Sequence, residues 1–166
     1  LEPFGYRLHE IDLAQIVHEQ QSAQLDGEER GFLNASPGVL TSVVRNQPKT
    51  LVLLRNIDLC HPNVLQRLAP MLTEGKLRDR YGFESDKKQI PMAGSNVDFS
   101  ETLVVMTSRA GEMVYDAMQY GDAEMNDSGR LETQLLQEFR ELTTTNHQCA
   151  GQQQFSANFL SALSSG

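Results

Sequence analysis

Residues 51–66, LVLLRNIDLCHPNVLQ, run from four apolar residues into an amphipathic helix, and the apolar run ends on Arg55-Asn56. A buried strand that presents two carboxylates at its tip can hold a metal ion and activate a water. Here the tip carries a cation and an amide. A guanidinium repels a metal ion rather than ligating it, and a neutral amide cannot take a proton from water. Asp58 offers no substitute if the strand continues, because an odd offset reverses the side-chain direction.

The other reactive residue types are scattered. Lys49-Thr50 has the ending of a phosphate-binding loop, but the eight residues before Lys49 contain no glycine and the pair leads into a strand. A phosphate cradle needs the opposite order, strand then loop then helix N-terminus. His9, His18, His61 and His147 lack ligand spacing, so no metal site is expected. Cys60 and His61 are sequence neighbours that point apart, which argues against a thiol nucleophile. Asp26, Glu28 and Glu29 form an acidic stretch expected to be solvated.

The elements that would position these residues follow from hydrophobic spacing. FGYRLHEID reads as a strand ending at Asp12, and LAQIVHEQQ as a short helix with Leu13, Ile16 and Val17 on one face. DGEERGFLNASPG is a loop. Leu40, Val43 and Val44 mark a helix closed by Pro48, and Thr50 to Leu54 is a buried strand. Pro62 suits the first turn of the next helix, whose stripe of Val64, Leu65, Leu68 and Leu72 ends at Gly75. Residues 75–96 read as a polar hairpin with a mobile extension, and TLVVMTS as a second confident strand. GEMVYDAMQY, a polar break at 121–130, a helix carrying Leu131, Leu135, Phe139 and Leu142, the loop NHQCAGQQQ and a last short helix FSANFLSAL complete the chain. Alternating strands and helices imply one α/β domain over 1–166, with a mostly parallel sheet covered on both faces.

Composition narrows the partners. The chain has 166 residues, 39% of them apolar, and a net charge of −8, which argues against nucleic acid as a partner. No apolar run is long enough for a membrane span. Two cysteines without ligand spacing fit a cytoplasmic or other reducing intracellular compartment. The start at Leu1 rather than Met reads as a piece of a longer protein.

Residues 38–82, then 97–111, resemble the AAA+ module of Clp-type protein unfoldases, with the second ATPase module of ClpB-like disaggregases as the nearest likeness. The matches are Leu40-Thr41, Pro48, His61-Pro62, Gly75, Leu77, Asp79, Val97-Asp98-Phe99, Thr102 and Thr107-Ser108, in order and with spacing kept apart from extra residues around 83–96. LHEIDLAQ resembles the strand before the family's substrate-contacting loop. The likeness is strongest over 8–110 and weaker over the helical remainder, 111–166. It implies a Rossmann-like AAA+ core whose P-loop segment lies outside these residues.

The departures carry the functional expectation. By this resemblance the family's Walker B Asp falls on Arg55, its catalytic Glu on Asn56, its γ-phosphate sensor on Arg109 and its arginine finger on Ala162. The pattern implies a degenerate, pseudo-ATPase module without catalytic, cofactor-binding or metal-binding residues. ATP and Mg²⁺ enter only if a P-loop lies upstream. Arg55 and Arg109 would end strands at the same sheet edge, as solvated arginines or as an anion site. Phe32 lines up with the aromatic residue that grips a translocating polypeptide. The alternative, favoured because gripping needs an ATP-driven ring, is that Phe32 folds back as an anchor for its loop. Ring formation is doubtful without the finger and a lid subdomain. Three readings remain: an assembly or protein-interaction module whose partners are proteins or other modules of the same polypeptide; a subunit of an active Clp-type unfoldase with its P-loop upstream; and a non-ATPase α/β binding domain whose edge arginines meet an acidic partner.

Overall fold

A computed structural model describes residues 5–33, 35–84, 91–92, 95–120, 128–145 and 149–164. The expected mobile extension (85–90, 93–94), most of the polar break (121–127) and His147 lie outside the described residues.

The central sheet has three parallel strands in the order β1-β2-β7, with β1 Arg7–Asp12, β2 Thr50–Arg55 and β7 Leu103–Met106. Register runs Arg7↔Thr50 to Asp12↔Arg55 on one side of β2, and Leu51↔Leu103 to Leu54↔Met106 on the other. Thr50, Val52 and Leu54 are buried while Leu51 and Leu53 are half-buried, so β2 divides its residues between two unequal faces. The buried face packs on helix α2 (Val39–Asn46) through Leu40 and Val44, and on α3 (Pro62–Thr73) through Val64, Leu65, Leu68 and Met71. Phe159 and Leu160 of α6 (Ala157–Ser164) complete that core, with Phe155 just before the helix stacked 6.0 Å from Phe159.

The sheet is not covered on both faces. Leu8, Leu103 and Val105 are 65%, 43% and 44% exposed, and they share their face with Leu51 and Leu53 by register. None of the described helices buries this row.

Pro62 opens α3 as its spacing predicts, and the His61 ring caps the helix by accepting from Asn63 N–H at 3.2 Å. Gly75, at φ +64, then turns the chain into β3 (Lys76–Asp79), which pairs antiparallel with β6 (Ser95–Asp98). The predicted hairpin is therefore present. A shorter pair, β4 (Phe83–Glu84) and β5 (Pro91–Met92), extends it. Beyond β7 come α4 (Glu112–Tyr120) and α5 (Ser128–Glu141).

The helix expected over 13–21 does not form. Two 3₁₀ turns, Leu13–Gln15 and Glu19–Ser22, are followed by the single-turn helix α1, Ala23–Asp26. Asp12 caps the first turn through Ala14 N–H. The Gln21 carboxamide oxygen accepts from Val17 N–H and His18 N–H, both at 3.0 Å. A side chain thus satisfies the donors that a continuous helix would have satisfied from its backbone. Among the described residues no helix is long and apolar enough to cross a membrane.

Candidate functional site

The site is the C-terminal rim of the sheet, where β2 ends. Asn56 takes φ +57, the left-handed region that Asn tolerates better than most residues, and this reverses the chain away from the strand. Two bonds fix the departure: Ile57 N–H donates to the Thr107 carbonyl at 3.0 Å, and Thr107 N–H to the Leu54 carbonyl at 2.9 Å. The polar tip is therefore held by backbone on the β7 side.

Its side chains turn to the other side. Arg55 Nη1 donates to Glu10 Oε1 at 2.5 Å, and Asn56 Nδ2 donates to Asp12 Oδ1 at 2.8 Å. Glu10 and Asp12 stand two residues apart on β1, on the face shared with Arg55 by register. The Asn56 amide, followed by Ala14 N–H, holds the Asp12 carboxyl below the usual carboxylate range. Glu10 in turn raises the Arg55 guanidinium above its ordinary value. The rim is a closed acid–base arrangement of two carboxylates, one guanidinium and one amide. The Arg55–Glu10 pair is exposed, so it contributes little to stability, while Asp12 and Asn56 are half-buried.

Arg109 is exposed and lies beyond β7, on the side of β2 opposite to β1. Its backbone N–H donates to Asp58 Oδ1 at 3.3 Å. Arg55 is paired toward β1 through Glu10, and Arg109 follows β7 on the other side of β2. Asp58 is not on the strand, because β2 stops at Arg55; strand parity therefore does not decide where it points. Its carboxylate is used to hold the segment after β7. Ala162 is 3% exposed on α6, within the core rather than on a surface. Phe32 is 62% exposed and its neighbour Leu33 91%, so Phe32 does not fold back as an anchor. The loop is held instead by Arg30, whose Nε donates to the Tyr81 carbonyl at 3.1 Å and whose guanidinium lies 4.5 Å from the Tyr81 ring centre.

Two residues matter here that sequence reading treated differently. Asp26, expected to be solvated, is 6% exposed and paired with Arg67, whose guanidinium also donates to Ser22 Oγ at 2.5 Å. Gln154 is fully buried, and its Nε2 donates to the carbonyls of Ile57 at 3.1 Å and Cys60 at 2.9 Å. It ties the segment before α6 to the turn that follows Asn56. Replacing Gln154 by Leu leaves both carbonyls without that donor and is expected to cost about 2 kcal/mol, read as a fall in the thermal midpoint. Cys60, in the same turn, has its thiol pushed up to about 12 by burial, which leaves it inert as a nucleophile.

A family model described as AAA domain (Cdc48 subfamily) matches residues 6–163. Among curated relatives, the chaperone protein ClpB of Rhodopseudomonas palustris is 30% identical over 127 residues, 76% of this chain and 13% of the relative. Heat shock protein 100 of Trypanosoma brucei brucei is 32% identical over 102 residues, 61% of this chain and 10% of the relative. The chain thus spans about a tenth of the length of the curated relatives it matches. The S. cerevisiae Hsp104:casein complex in its extended conformation superposes with a TM-score of 0.60 at 20% identity, over 93% of this chain and 22% of that one. At that identity the likeness concerns the fold alone.

Proposed function

This chain belongs to the AAA domain (Cdc48 subfamily) family, as a ClpB-like AAA+ chaperone-family module, and from that premise we propose that it is a pseudo-ATPase domain serving assembly or protein interaction within a larger polypeptide. The observation that carries the reading is the pairing of Arg55 with Glu10 and of Asn56 with Asp12. Mg²⁺ is held by oxygen ligands, usually carboxylates, phosphates and water. The donor set at the β2 tip does not fit it: one tip residue is a guanidinium, and the nearest carboxylates are already neutralised or hydrogen-bonded by the tip itself. A water at this rim would meet no free base on β2, and Asn56 has no proton-accepting group of the needed strength. Arg55 thus supplies permanently the positive charge that a bound metal would supply transiently.

The uncovered sheet face supports the assembly half of the reading. Parallel sheets are stable with both faces packed, and Leu8, Leu51, Leu53, Leu103 and Val105 form an apolar row suited to another segment of the same polypeptide. Titration calorimetry of this chain with Mg-ATP is expected to show no Mg²⁺-dependent binding. Micromolar binding that requires Mg²⁺ and is accompanied by phosphate release overturns the proposal.

A further inference from the structure

The strongest feature outside the rim is a charge pattern on the hairpin. Along β3 the interior side takes Leu77, 3% exposed, and Asp79, fully buried, while Lys76 and Arg78 face outward and Arg80 continues the alternation just past the strand. Three cations therefore stand on one side at two-residue intervals, about 6.6 Å apart along the backbone. They border a cavity of about 420 Å³ whose walls include Arg67, Pro70, Leu77 and Asn96. In a chain of net charge −8 such a cationic strip is against the trend.

Three of the acids around the strip have their hydrogen bonds directed to other groups. Asp26 is taken by Arg67. Glu19 accepts from Asn63 Nδ2 at 2.9 Å, and Asp98, the register partner of Lys76, accepts from Ser100 N–H at 2.9 Å. Arg78 lies opposite neutral Asn96. Glu74, beside Gly75, is exposed. Among the described residues, no side-chain hydrogen bond or close ion pair holds Lys76, Arg78 or Arg80; Arg80 acts on the Asp26 carboxyl and Lys76 on that of Asp98 only through their charge.

We infer that Lys76, Arg78 and Arg80 form a docking strip for an extended acidic polypeptide segment. The match is geometric as well as electrostatic. An extended peptide repeats its same-side residues at the two-residue interval of the strip, so alternate Glu or Asp side chains meet successive cations. A nucleic-acid backbone is the less fitting polyanion, because three cations beside Glu19 and Glu74 on an acidic protein make a small electrostatic footprint. The inference rests on the interaction-module reading and names the chemistry of its partner.

Fluorescence anisotropy with a labelled decapeptide of alternating Ser and Glu tests it on this chain. Binding is expected to weaken about tenfold between low and physiological salt, as exposed charge pairs are screened. It is expected to weaken by about tenfold again in the Lys76→Glu, Arg78→Glu, Arg80→Glu variant. Arg78→Gln, which adds no repulsion and keeps the exposed position polar, is expected to lose a few-fold. Equal affinity of the wild type and both variants overturns the inference. So does tighter binding of a single-stranded oligonucleotide of the same charge. A peptide that fails to bind while Mg-ATP also fails to bind removes the strip and leaves the pseudo-ATPase reading standing; Mg-ATP turnover with intact peptide binding removes that reading and keeps the strip.

Discussion

Replacing Arg67 by Met is expected to lower the thermal midpoint by about 10 °C near pH 7 and by far less near pH 4, a difference that calorimetry at the two pH values measures. Arg67 Nε and Nη2 both donate to the Asp26 carboxylate, with 3.2 Å for the first. Asp26 is buried, and burial raises its carboxyl above the ordinary 3.8, opposed first by the Arg67 hydrogen bonds and then by its charge. Met keeps much of the apolar stem of Arg67 in place, so the loss is that of the ion pair and of the bond to Ser22 Oγ. Removing one partner of a buried ion pair costs roughly 3–5 kcal/mol, and one kcal/mol moves the midpoint of a domain this size by about 2–4 °C. The sign of the pH dependence follows from the direction of the shift. A carboxyl raised on folding contributes stability that is fully present below its unfolded value and is lost as pH rises through its folded value. Without Arg67 that folded value climbs further, so the variant loses stability from about pH 4 upward. Adding Asp26→Asn to Arg67→Met is expected to recover part of the loss, and no recovery would place the effect in packing instead.

Gly38→Ala is expected to cost about 3 kcal/mol, seen as a lower midpoint and faster proteolytic cleavage within 27–38. A Cβ at Gly38 would lie 2.3 Å from the Leu25 carbonyl oxygen and 2.5 Å from Gly27 N. These are backbone atoms, and they cannot step aside as a side-chain end can. The clash falls where the loop carrying Phe32 closes on itself. Gly27, at φ +84 with Asp79 Oδ1 2.8 Å from where its Cβ would be, forms the other jaw. Asp79 in turn accepts from Arg45 Nη2 at 2.7 Å and from Tyr81 N–H at 3.1 Å. The loop and the hairpin thus share one buried carboxylate. Gly31→Ala, in open space at φ +113, is the control, expected to cost about 1 kcal/mol through backbone conformation alone.

What could be read beforehand divides by the range of the forces involved. β2 and α3 were legible because burial writes itself into local spacing, and Pro62 and Gly75 mark their ends by backbone chemistry. The stretch 13–21 carries a helical signal in Leu13, Ile16 and Val17, but Gln21 diverts the donors of Val17 and His18 to its own side chain. Asp26 looked solvated in an acidic stretch, since its partner Arg67 is 41 residues away. The type of Arg55 was plain from the sequence, but its engagement with Glu10 was not, for the same reason of distance. Gln154 sits in a run of glutamines with nothing local to mark it as the buried one. Phe32 is exposed on a loop whose Arg30 contacts Tyr81, 51 residues away, an arrangement with no local signature.

The most direct measurement is steady-state phosphate release from Mg-ATP by the longest polypeptide that carries these residues, compared with its Asn56→Ala and Arg55→Ala variants. If the β2 tip takes no part in hydrolysis, both variants release phosphate at the wild-type rate, whether that rate is zero or is set by other modules. Turnover that Asn56→Ala abolishes while the fold stays intact would contradict the account.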